Sequence, residues 1–302
     1  MGYATIQHIR QGLASEALVL PDITRIGVDC YEDFQEKMDR KEVRQIGDIV
    51  VQACREKFPG ADIDIMGSFR RRKEKIGDVD VLITHPDFFD TTPRGALGEL
   101  VSRLKRRGHI AYHLNHVEGV SDSVLENSSE ASEMGDLITK QPSETFKFTK
   151  NGQEQPGSAS YMGVFFSPMK PGIRRRIDIK LYPFAQKAFA TLYFTGSSYF
   201  NRSMRLWATR KKAMSLNDHG IYPIKISGAA VKATARGKEF ISDSIGASTE
   251  REIFDLLGLE YRHPHERDCF DAVVEKGSSK PITLDSEFVK EDRVIEIENN
   301  HA

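Results

Sequence analysis

The chain has 302 residues, 39% hydrophobic and 29% charged, enough to bury a real core spread over several subdomains. No apolar run reaches the length of a membrane span, Met1–Gln7 carries no signal-peptide pattern, and three cysteines without a Cys-x-x-Cys spacing argue for reduced thiols and against a zinc site. A net charge of −1 is low for a nucleic-acid binder, yet cations gather at Arg70–Lys75, Arg103–Arg107, Arg174–Lys180 and Arg202–Lys212, while acids gather in 118–160 and at Asp285–Glu298, so a local basic channel is compatible with the sum.

In chain order, residues 1–40 read as helical, with Arg25–Phe34 entering a helix. Glu42–Phe58 sets Val43, Ile46, Ile49, Val50 and Ala53 at helical spacing. A mixed sheet is expected from strands at Ile63–Met66, Val79–Thr84, Tyr161–Phe166 and Arg176–Leu181, with a helix at Leu97–Arg107. Residues 118–160, rich in Ser, Gly and acids, are expected to form a mobile surface insertion with a short hairpin around Thr145–Thr149. Helix returns from Ala188, and Arg251–Leu257 is a short helix before a turn at Tyr261-Arg262. In the tail, 282–288 and 294–297 alternate like strands. The expected organisation is a helical subdomain 1–40, a mixed-sheet domain 41–187 carrying the insertion 118–160, a further subdomain 188–275 and an extension 276–302. His263 and His265 flank Pro264 and read as surface residues, and no internal repeat is found.

The chemistry concentrates in Met66–Val81. Asp78 and Asp80 alternate in a strand whose β-branched neighbours Val79 and Val81 point the other way. Arg174–Tyr182 repeats the pattern with Asp178, so pairing of the two strands would bring three carboxylates together. Two unit charges about 4 Å apart repel by about 4 kcal/mol at an effective dielectric of 20, which calls for a compensating cation. A hard divalent ion prefers such oxygens and shares them with a phosphorylated substrate. Gly67-Ser68 offers backbone N–H groups and a hydroxyl, and Arg70, Arg71, Arg72, Lys73 and Lys75 offer charge, which together suit a triphosphate. No Gly-x-x-x-x-Gly-Lys-Ser/Thr element occurs, which argues against a P-loop NTPase. Asp-x-Asp alone is common in surface turns and a basic run alone is often a solvated face; their conjunction with a third strand-borne aspartate favours a nucleotide site.

Gly67–Arg71, Gly77–Pro86, Arg175–Ile179, Leu192–Ser197, Phe200–Arg205, Met214–Leu216 and Leu257–Arg262 stand in the order of one family, with Pro264 and Arg267 completing the last. Over residues 2–268 the chain resembles the nucleotidyltransferase superfamily and, more closely, the family X DNA polymerases of the β and λ type. The resemblance implies an α+β fold: a nucleotidyltransferase palm with a mixed sheet, flanked by helical DNA-binding and nucleotide-binding subdomains. It implies that Asp78 and Asp80 hold two Mg²⁺ ions, with Mn²⁺ able to substitute, and that Asp178 holds the catalytic one beside the primer 3′-hydroxyl. Ser68, Arg71 and Gly77 fall on positions that hold the β and γ phosphates. Lys37 falls on a further phosphate position where arginine is usual, and loses its planar fork.

Tyr193-Phe194, in the turn closed by Gly196, match residues that pack on the incoming sugar and help exclude ribose; aromatics at such a bend are also ordinary packing. Asn201 and Arg205 match residues at the minor-groove edges, and Arg202 one on the template base; Arg176 and Tyr193 belong to the same DNA-contacting set. On the residues alone, Arg202, Arg205, Arg210, Lys211 and Lys212 equally form a solvated helix face with Trp207 on the buried side. Asp218 and His219 resemble positions near Arg205. Arg72 stands where glycine is common, which implies a stiffer phosphate loop.

The implied reaction is template-directed, gap-filling addition of dNMP to a primer in base-excision or end-joining repair. Tyr193-Phe194 and the short Ser167–Ile173 connector favour the templated reading; the alternatives are a template-independent terminal or RNA nucleotidyltransferase and a non-catalytic DNA-binding scaffold. Expected partners are gapped or primed DNA and dNTPs, with no membrane and a monomeric state. The nucleus is the implied compartment, a mitochondrion or other organelle the alternative. The chain opens just after the position of the family's glycine hairpin, so a chain shortened at its start is expected, a naturally short form being the alternative, and lyase activity is not expected.

Overall fold

The computed structural model describes residues 3–118, 120, 149, 150, 153, 154, 157–225 and 239–278. The chain divides into two compact units, Met1–Phe69 with Lys73–Phe184 and Arg70–Arg72 with Ala185–Ala302. The helices of residues 1–40 count with the first unit.

The first unit opens with α1 (Ile6–Ala14), capped by the Thr5 side chain, which accepts from His8 N, followed by α2 (Asp22–Asp29) and α3 (Tyr31–Gln35). Helix α4 (Arg40–Lys57) begins where the Asp39 carboxylate accepts from Glu42 N at 2.8 Å and ends with Arg55 and Lys57 in its last turn, charges that suit both ends of the helix dipole. Its periodic residues Val43, Ile46, Val50 and Ala53 are fully buried. They pack into a core with alternate residues of β1 (Asp62–Ile65), β2 (Val79–Thr84), β6 (Ala159–Phe166) and β7 (Arg174–Leu181), and with α6 (Ala96–Arg106).

Between β1 and β2 lies the single turn α5 (Gly67–Arg70), and β3 (Ile110–His113) follows α6. The sheet order is β1-β2-β7-β6-β3, with β2 and β7 parallel and the other neighbours antiparallel. This is the expected mixed sheet with one added strand. β3 escaped the sequence reading because only Ile110 of its four residues is fully buried and no alternation is left to detect. β7 starts at Arg174, ahead of the expected Arg176, because its first two arginines have acidic partners. Arg175, 2% exposed, donates to both Glu42 oxygens and to the carbonyls of Asp33 and Glu36; Glu42, also 2% exposed, further accepts from Ser167 Oγ at 2.8 Å.

Strands β4 (Thr149–Lys150) and β5 (Gln153–Glu154) pair antiparallel. Of the hairpin expected at Thr145–Thr149 only Thr149 falls among the described residues, and the strand-like runs 282–288 and 294–297 lie outside them.

The second unit packs α7 (Lys187–Thr195), α8 (Ser198–Lys212) and α9 (Glu250–Leu256) around Phe189, Phe200 and Phe254. Ser197 caps α8 by accepting from Phe200 N. Trp207 is on the buried side as expected, its indole N–H donating to Leu257 O at 2.9 Å. Strands β8 (Met214–Leu216), β9 (Ile221–Lys225) and β10 (Glu239–Phe240) form a small antiparallel sheet in the order β10-β9-β8.

Candidate active site

Strand β2 opens one residue after Asp78, so Asp78 stands at its mouth and Asp80 in its second position. Val79 and Val81 are buried on the core face. In the parallel pairing Val79 faces Ile177, Asp80 faces Asp178 and Val81 faces Ile179, which sets two aspartates side by side on the other face. Burial raises the Asp178 carboxyl above the usual range and the charge of Asp78 adds to this, while Lys180 and Arg176 oppose it. Arg176 Nη2 donates to Asp78 Oδ2 at 2.7 Å.

Among the described residues no three acidic, His or Cys side chains stand close enough together to hold a metal ion. Asp80 and Asp178 come together in register, whereas Asp78 is held by Arg176, the arrangement expected where ionised carboxylates can find a cation of their own. The donor chemistry nevertheless fits a hard divalent ion: two carboxylates on adjoining strands and a third at the mouth of one of them, with Asp178 half-buried and costly to ionise without a neighbouring cation.

The Gly-Ser turn lies directly against Asp80. Met66 N donates to Asp80 O at 2.8 Å, and Gly67 has φ +56° with so little clearance that a Cβ there would stand 2.0 Å from Asp80 Oδ2. Ser68 O accepts from Lys73 N at 3.0 Å. Arg40 spans the same turn, donating to Phe69 O at 2.8 Å and Lys73 O at 3.2 Å. Arg72, at the position where the resembled family commonly has glycine, adopts the left-handed φ of +64° that glycine would take without strain. Met38 and Ile76 exchange backbone hydrogen bonds and carry Lys37 to Gly77, where a Cβ would lie 3.1 Å from Lys37 Nζ.

The remaining candidates belong to the second unit. Arg71 donates to Thr195 O at 2.7 Å and Asp268 Oδ1 at 3.0 Å. Gly196 has φ +64°, and a Cβ there would be 3.1 Å from Arg71 Nη1. Tyr193 and Phe194 meet edge to face at 5.2 Å. Asn201 Nδ2 donates to Tyr193 O at 2.7 Å, and Tyr193, Asn201 and Arg205 line one narrow hollow. Arg202 is exposed on α8. His219 stands beside Asp218 and Gln186.

Thr195 and Glu250 were not singled out from the sequence, and Arg70, expected to offer charge to a triphosphate, is engaged by both. Arg70 donates to Thr195 Oγ1 and both Glu250 oxygens, and the fully buried Arg267 donates to Glu250 Oε1 at 2.5 Å. Burial alone would raise the Glu250 carboxyl, but the two guanidiniums hold it below the usual range. Two consecutive arginines ahead of a distant Arg-Asp pair were the available signal.

The DNA polymerase beta palm model matches residues 37–125 and the DNA polymerase beta thumb model residues 190–268. DNA polymerase lambda of Rattus norvegicus is 35% identical over 267 residues, covering 88% of this chain and 38% of the relative. DNA polymerase lambda of Arabidopsis thaliana is 30% identical over 246 residues, covering 80% of this chain and 39% of the relative. The chain belongs to the family X DNA polymerases. DNA-directed DNA/RNA polymerase mu of Homo sapiens is 29% identical over 248 residues, 81% of this chain and 44% of its own length. The chain thus spans less than half the length of each of these relatives. The palm match includes Asp78 and Asp80, while Asp178 lies between the two matched ranges. Its register opposite Asp80 therefore ties it to the palm aspartates through Asp80, independently of the family models.

Proposed function

We propose that this chain is the catalytic part of a template-directed DNA polymerase that fills short gaps during DNA repair. The observation that carries the reading is the pairing of Asp80 with Asp178 on parallel strands, with Gly67 packed directly against Asp80. Two divalent ions, Mg²⁺ by preference and Mn²⁺ as substitute, would be held by Asp78, Asp80 and Asp178, and would favour deprotonation of the primer 3′-hydroxyl and stabilise the charge of the departing pyrophosphate. The chain's own residues do the positioning. Ser68, Gly77 and Lys37 hold the triphosphate from the first unit, and Arg71 adds a guanidinium whose orientation is fixed by Thr195 and Asp268. Arg176 leaves Asp78 as ions bind and turns to the DNA backbone. Tyr193, Phe194 and Gly196 pack on the incoming sugar, Asn201 and Arg205 check the minor-groove edge of the new pair, and Arg202 lies on the template base.

Substrates are gapped or primed DNA and dNTPs, the working state is a monomer, and the compartment is the nucleus. The test is incorporation on a one-nucleotide gapped duplex with Mg²⁺, each dNTP and each rNTP offered against every template base. Complementary dNTP insertion is the expected result. Addition that ignores the template would move the chain to the terminal-transferase reading. Efficient ribonucleotide insertion would remove the sugar-excluding role of Tyr193 and Phe194, a live comparison because the name of the human relative covers both DNA and RNA synthesis.

A further inference from the structure

In the first unit a hollow of about 270 Å³ is lined by Arg40, Lys41, Arg44, Gln45 and Phe69. Among the described residues no carboxylate lines it. The Arg40 guanidinium stands 4.1 Å from the Phe69 ring centroid and that of Arg44 5.1 Å. Stacking on an aromatic face holds a guanidinium in place while leaving its N–H edge able to donate. Arg40 is further fixed by the carbonyls of Phe69 and Lys73.

Lys41 and Arg44 are exposed, and among the described residues neither forms an ion pair. The acids of the same helix are directed elsewhere: Asp39 caps α4, and Glu42 is buried on Arg175 and Ser167. Asp48, one turn beyond Arg44, makes no ion pair with it. The hollow is thus a wall of donors around an aromatic ring, with two cations left uncompensated. An anion with several oxygens matches it, and phosphate is the one a guanidinium fork fits best.

We infer that this hollow is a phosphate-binding subsite for the backbone of a nucleic-acid strand. Four residues of helix advance about 6 Å, and phosphates of one DNA strand recur about every 3.4 Å along the duplex axis. Arg40 and Arg44 are therefore spaced to reach more than one phosphate of such a strand, more than a single anion needs. That the strand is DNA rests on the polymerase reading; the phosphate chemistry does not.

The test is anisotropy of a labelled gapped duplex carrying a single-stranded template overhang, titrated without nucleotide or divalent ion across a salt series. The proteins are wild type, Lys41→Gln with Arg44→Gln, and Arg44→Lys, each first checked for an unchanged melting temperature. The double variant is expected to bind about tenfold more weakly at low salt and to lose about 1.5 from the slope of log K against log salt, while Arg44→Lys keeps most of the slope. An unchanged slope overturns the subsite. A slope unchanged while a fluorescent deoxynucleoside triphosphate binds more weakly would assign the hollow to free nucleotide and overturn the strand. A slope difference between wild type and the double variant, with no incorporation by wild type on gapped DNA, supports this subsite and removes the activity reading instead.

Discussion

Asp80 and Asp178 face one another across two parallel strands, the one acidic residue of β2 paired with the one acidic residue of β7. Asp178→Asn should lower nucleotide incorporation by about a thousandfold or more, because it removes one anionic oxygen donor where several kcal/mol of charge stabilisation are gathered. The same substitution relieves a half-buried carboxyl whose ionisation burial already disfavours, so the metal-free protein should melt no lower than wild type. Single-turnover rates on a gapped duplex and a melt in EDTA read the two effects. A fully active variant would remove Asp178 from the site.

Gly67 is defined by clearance as well as by φ. Gly67→Ala would place a methyl group 2.0 Å from Asp80 Oδ2 on a backbone already at φ +56°. The left-handed conformation alone costs about 1–2 kcal/mol for a residue with a Cβ. Displacement of the Asp80 carboxylate by about 1 Å should cost about a hundredfold in rate. Activity within a few fold of wild type would mean the turn moves away from Asp80 at no cost.

The buried Arg175–Glu42 pair joins β7 to α4. Glu42→Gln leaves a guanidinium buried without its counter-charge and should destabilise the first unit by about 3–5 kcal/mol. Arg175→Met combined with Glu42→Leu removes both charges and should recover most of that loss. Amide exchange in β7 under urea distinguishes the cases; equal losses in the single and double variants would contradict the pair's self-compensation.

His113, on β3, has its Nδ1 3.1 Å from Tyr161 OH and a buried Nε2 with no hydrogen-bond partner among the described residues. Burial first, then the charges of Lys105 and His116, lower its imidazole from 6.5 to about 4. Between those values the unfolded chain binds a proton that the folded chain refuses. Stability is therefore full above pH 6.5 and falls as pH drops toward 4, by on the order of 2 kcal/mol. His113→Gln should flatten that part of the stability profile. An identical acid slope in the variant would assign the loss to other groups.

Alternation carried most of the first unit into view. In β2, valines and aspartates divide cleanly between core and solvent, and in α4 the apolar residues recur every turn, so a sequence pattern was enough. It failed where burial is polar. Arg174 and Arg175 fell outside the strand expected at Arg176–Leu181 because strand signals are apolar, and their acids come from helices far away in sequence. The three short strands of the second unit leave too few residues for a period to emerge. The aspartates of the candidate site were visible as a motif. The attachment of Arg70 and Arg71 to Thr195, Glu250 and Asp268 was not, because nothing local says which carboxylate an arginine finds across more than a hundred residues.

Arg70–Arg72 belong to the second unit although they interrupt the first. During synthesis on the ribosome this short piece emerges well before the helix that carries Glu250. The acid's counter-charges then come from opposite ends of the sequence, Arg70 made early and Arg267 made late. A fragment starting at Ala185 would have to bury Glu250 with Arg267 alone, so a cut at that boundary would separate residues that only the continuous polypeptide supplies together.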